Sequence, residues 1–151
     1  MDITQLPNQP PDCSKSNLSN QEQEWCNGRV PVGTELTKIS NSLSRIASKG
    51  GACYAVAGKL GDLLTNGNLK IFDFSSQAFG GAAPLGGDWM IIANTWLTTW
   101  EINKTSTGLN LDATLTHEAD HLLINTSSAT DAVGHLLGSG GVHTLNSQAS
   151  S

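Results

Sequence analysis

The chain predicts an α+β fold in one domain: a pair of helices, a small sheet, and a later helix packed on that sheet. Three observations carry this. Apolar residues recur at helical spacing in two successive stretches between residues 34 and 66, two short apolar runs near 69–74 and 88–94 have strand character, and a capped apolar stripe returns at 110–124. At 151 residues one core suffices, burying about two-thirds of the unfolded surface.

Residues 1–30 are rich in Pro, Asn, Gln and Ser and read as an irregular lead-in or linker, with the domain proper at 31–151. In GTELTKISNSLSRIASKGG, Leu36, Ile39, Leu43 and Ile46 share a stripe, Thr34 can cap the start, and Gly50-Gly51 ends the helix. A second helix follows in ACYAVAGKLGDLLTNGN, with Cys53, Val56, Leu60 and Leu63 on one side and a stop at Asn66-Gly67. The short Gly link sets the two antiparallel. LKIFDF opposes Leu69 and Ile71 to Lys70 and Phe72, as in a half-buried strand, whereas DWMIIANTW is a β-branched run that reads as a more buried strand. Between them, SSQAFGGAAPLGG reads as a flexible loop without the Lys-Ser/Thr of a phosphate loop. The third helix is capped by Asn110 and runs through LDATLTHEADHLLI, with Leu111, Leu115 and Leu122 on its apolar side; a further short helix is expected between Ser128 and Gly138.

Composition removes several function classes. No run approaches the roughly 20 apolar residues of a membrane helix, and the first residues lack a signal peptide's basic start and apolar stretch, so no membrane insertion is expected. The net charge is -5, and no Lys or Arg follows Lys104, while Asp112, Glu118, Asp120 and Asp131 lie beyond it. That half repels a phosphate backbone, so nucleic acid is not the expected substrate. Cys13, Cys26 and Cys53 are too few for a disulfide scaffold or a Cys-based zinc finger. Either Cys13 pairs with Cys26 in an oxidising compartment, or all three are reduced thiols.

The chemistry concentrates on the helix that follows Asn110. His117, Glu118 and His121 form H-E-x-x-H. His117 and His121 differ by about 40° around the axis and one turn along it, so both imidazoles can converge on one ion. Glu118, about 100° from His117, can reach a water on that ion without ligating it. Zn2+ bound by neutral imidazoles lowers the pKa of its water towards ~7, with Glu118 as general base. Asp120 falls about 60° to the other side of His117 and reads as a solvated carboxylate, or as one that orients a ligand. Trp89, Trp96 and Trp100 read as core, or as lining of a pocket beside the helix.

These five residues resemble the H-E-x-x-H core of the zincin metallopeptidases. The resemblance implies a zincin-like fold, a zinc cofactor, and hydrolysis of a peptide or protein substrate, with the run DWMIIAN as an edge strand that pairs with the substrate backbone. The continuation departs from known subfamilies: no glutamate follows Glu118, and Ile124 and Ser127 stand where metzincins carry Gly and His. The third ligand is therefore His135 or Asp131, with His135 preferred because Gly134-His135 is similar to a displaced metzincin ending. Asp131 would make the site similar to the aspzincins. His143 is the candidate oxyanion donor, since no Arg or Tyr follows the motif. More loosely, residues 34–150 resemble metallopeptidase-type domains at the C-terminal ends of bacterial Rhs or YD-repeat proteins, which implies an effector or toxin domain released from a secreted polypeptide. The alternative expectation is a non-catalytic zinc-binding or interaction module, in which Asp131 and His135 together close the site as third and fourth protein ligands.

Overall fold

A computed structural model describes residues 6–73, 81–84, 86–95, 97 and 111–123. Among these the order is α1 (Asn20–Asn27), α2 (Gly33–Ser48), α3 (Ala52–Asn66), β1 (Leu69–Phe72), β2 (Gly81–Ala82), β3 (Met90–Ala93) and α4 (Leu111–Leu122). The α+β expectation therefore holds, and no described helix is long and apolar enough to cross a membrane.

The helical hairpin forms where the apolar spacing puts it. Cys53, Val56, Leu60 and Leu63 of α3 are all fully buried, and Ile39 and Ile46 of α2 face them. Gly67 ends α3 in the left-handed region at φ 73°. There the N–H of Asn68 donates to Leu63 O at 2.8 Å and that of Gly67 to Leu64 O at 3.3 Å, so the last carbonyls are satisfied by a glycine turn. Two local details differ from expectation. Thr34 does not cap α2, because the cap position is Val32, two residues earlier, and Thr34 lies inside the first turn. Leu36 is 39% exposed, and the buried position between Ile39 and Ile46 is taken by Ser42, which donates to Asp112 of α4. Arg45 grips the same carboxylate through Nε and Nη2, both at 2.8 Å, and ties α2 to the start of α4.

The sheet has the order β1-β3-β2, with β1 parallel and β2 antiparallel to β3. Both faces are covered. Leu69, Ile71, Met90 and Ile92 join α2, α3 and α4 in one core, while Phe72, Ile91, Ala93 and Ala82 turn to the opposite face and pack with Leu6, Trp25 and Trp89. This corrects two expectations. Phe72 is not the outer face of a half-buried strand, and DWMIIAN is not an edge: β3 is central, its backbone engaged on both sides, so it cannot take up an extended peptide. Among the described residues β2 is paired on one side only, while Arg29 covers the far side of β1 by exchanging backbone hydrogen bonds with Ile71 at 3.0 and 2.8 Å.

Residues 1–30 are likewise not wholly irregular. Ser19 and Glu22 cap α1 reciprocally, Ser19 Oγ accepting from the Glu22 N–H and Glu22 Oε1 from the Ser19 N–H. Trp25 then meets Trp89 edge-to-face at 5.4 Å, with the Lys70 ammonium 4.4 Å from its ring centre, and Trp89 Nε1 donates to Pro7 O. Cys13 and Cys26 are joined by a disulfide, which fastens this segment to α1, and Cys53 is a buried free thiol. The segment is held because the second face of the sheet would otherwise expose Phe72, Trp89 and Ile91 to water.

Candidate metal centre

The sheet-facing side of α4 carries Leu111, Leu115, Ala119 and Leu122 into the main core. This fixes the rotation of the helix, and with it the direction in which the motif points. The end of α4 is held by a backbone hydrogen bond from Gly86 to His121 O at 2.9 Å, so the chain segment following β2 clamps the last turn. Glu118, Asp120 and His121 are buried and His117 is partly exposed, so the motif does not lie on a solvated helix face.

His117 and His121 do converge. Their Nε2 atoms are 3.2 Å apart, and the rings meet edge-to-face at 4.9 Å. Two nitrogens bound to one tetrahedral zinc at 2.0–2.1 Å would lie about 3.3 Å apart, so the pair already has the spacing of two ligands on one ion. Without an ion, one ring N–H donates to the other nitrogen. Glu118 Oε1 lies 3.9 Å from His121 Nε2, and the potential ligand atoms of His117, Glu118 and His121 all fall within 4.8 Å of one another.

The electrostatics of the site favour a cation. Burial, with no described basic partner beyond the histidine, pushes the Glu118 carboxyl up to about 8. Asp120 is fully buried, and neither of its oxygens accepts a hydrogen bond from a described residue; burial raises its carboxyl to about 6. The solvated reading of Asp120 is thereby overturned. It lies on the side of α4 away from the apolar stripe, one turn after Thr116, whose buried hydroxyl likewise has no hydrogen bond among the described residues. The donor set of two imidazoles and a carboxylate suits zinc chemically.

His135, Asp131 and His143 lie outside the described residues, as do Trp96 and Trp100. Trp89 is fully buried against Trp25 on the far face of the sheet, not beside α4. Gly81, within a stretch read as a flexible loop, instead forms β2 and lies against Glu118. The sequence offered no signal for this, since Gly81 follows Gly80 in a Gly-rich run that has no strand pattern. The chain matches no family model, and neither a curated protein nor a solved structure is detectably similar to it.

Proposed function

We propose that the chain is a zinc-dependent peptide hydrolase of zincin type, and the observation that carries this reading is the 3.2 Å approach of the His117 and His121 Nε2 atoms beside the Glu118 carboxylate. His117 and His121 would hold the metal through Nε2, with His135 or Asp131 as the third protein ligand. When bound, zinc supplies a Lewis acid that acidifies a water and polarises a carbonyl. Glu118 would take the proton from the attacking water and deliver it to the departing amine as the C–N bond breaks and the C–O bond forms. Its burial excludes bulk water from competing for that proton. The Leu111, Leu115 and Leu122 packing holds the helix in register, so that carboxylate and imidazoles face the same space.

The test is cleavage of a peptide library by zinc-loaded protein and its Glu118→Gln variant. The variant should keep one zinc per chain and lose about 100-fold or more of the activity; undiminished cleavage would remove Glu118 from the mechanism. A non-catalytic zinc module is the second reading, favoured by the near-complete burial of Glu118 and His121. Coordination separates the two: three protein ligands and a water for the hydrolase, four protein ligands for the module.

A further inference from the structure

We propose that Gly81, on strand β2, is a positioning residue for Glu118: the absence of a side chain there leaves the space that the carboxylate occupies beside the histidine pair. The inference rests on the reading of Glu118 as the proton acceptor, and it adds the residue that fixes where that acceptor stands.

The register of the sheet supplies the first support. Gly81 pairs directly with Ile92, and Ala82 with Ile91. Directly opposed residues of an antiparallel pair share a face. Ile92 belongs to the core built with α4, and Ile91 to the opposite core, so position 81 faces α4 and position 82 faces away from it. The second support is distance. A Cβ at position 81 would lie 3.1 Å from both Cγ and Oε2 of Glu118, and 2.9 Å from Ile91 O. The Ile91 O contact is the tightest and is independent of Glu118; the contact with Cγ is the one specific to Glu118, because Cγ cannot be moved without turning the side chain about its first torsion. Ile91 O belongs to the central strand, so β2 cannot retreat without losing its pairing. The strand therefore forms one wall of the Glu118 pocket, and Ala82, on the far face, is the nearest position at which a methyl group is accommodated.

The experiment is a double-mutant cycle of Gly81→Ala and Glu118→Ala, read by thermal unfolding and, where Glu118 is retained, by peptide hydrolysis with zinc bound. Gly58→Ala is the control, since a Cβ there meets nothing within 4 Å. Gly81→Ala should retain the zinc stoichiometry, lower kcat by about 10- to 100-fold and leave KM within about twofold, as a displaced reacting group does. Its Tm penalty should be at least about twofold larger with Glu118 present than in the Glu118→Ala background, because only the Glu118 contact is removed between the two. Equal penalties would assign the cost to Ile91 O alone and overturn the inference, as would an unchanged kcat. If Gly81→Ala does not fold, recovery of folding in the double variant supports the inference and failure to recover overturns it. Should the parent protein cleave no peptide, the hydrolase reading fails separately, while the stability cycle still decides whether Gly81 sets the position of Glu118.

Discussion

Glu118→Gln in metal-free protein isolates the cost of burying an ionised carboxylate. The folded-state carboxyl titrates at about 8 against an ordinary value of 4.5. The folded protein therefore binds more protons than the unfolded chain between those two values, and stability falls as pH rises through the window. Below 4.5 the group is protonated in both states and costs nothing; above about 8 the full penalty applies. At about 1.4 kcal/mol per pH unit the rise amounts to ~5 kcal/mol, which relaxation and water entry would reduce to about 3. Glutamine has nearly the same shape and no charge, so the variant lacks this term. The assay is denaturant unfolding of chelator-treated protein at pH 5, 7 and 9. Wild type should lose about 2–4 kcal/mol more than the variant between pH 5 and 9, because part of the window lies below pH 5. Asp120, raised to about 6 by burial, contributes to both proteins and cancels in the difference. Parallel pH profiles would refute the reading that burial raises the Glu118 carboxyl.

Zinc at about a thousand times its Kd should add about 4 kcal/mol, raising Tm by roughly 8–16 °C for a chain of this size. His121→Ala should abolish that rise, and a chelator should reverse it in wild type; calorimetry with metal analysis is the check. Reducing the Cys13–Cys26 disulfide, or replacing both cysteines by serine, should cost about 3 kcal/mol, because the short loop it closes gains freedom in the unfolded chain. Thermal unfolding with and without reductant measures this, and an unchanged Tm would mean the bond does not constrain the unfolded chain.

Much of the local structure was legible in the residues. The stripe Cys53, Val56, Leu60 and Leu63 determined the buried side of α3, and Gly67 its end, because helical period and left-handed backbone are local properties. His117 and His121 were legible as a convergent pair for the same reason: four residues make about one turn. The Ser19-x-x-Glu22 cap was equally local, but the polar stretch around it carried too few apolar residues to mark a helix. What made that stretch fold was a partner distant in sequence, the Trp89 face of β3.

By itself, then, the sequence determined the helical hairpin, the two longer strands and the spacing of the imidazoles, since each depends on residues within a few positions of one another. Only the tertiary structure decided that β3 is central, that Asp120 is buried, and that Gly81 stands against Glu118. Those outcomes depend on which strands pair and in which register, and a pairing between segments far apart along the chain leaves no periodicity in either segment alone.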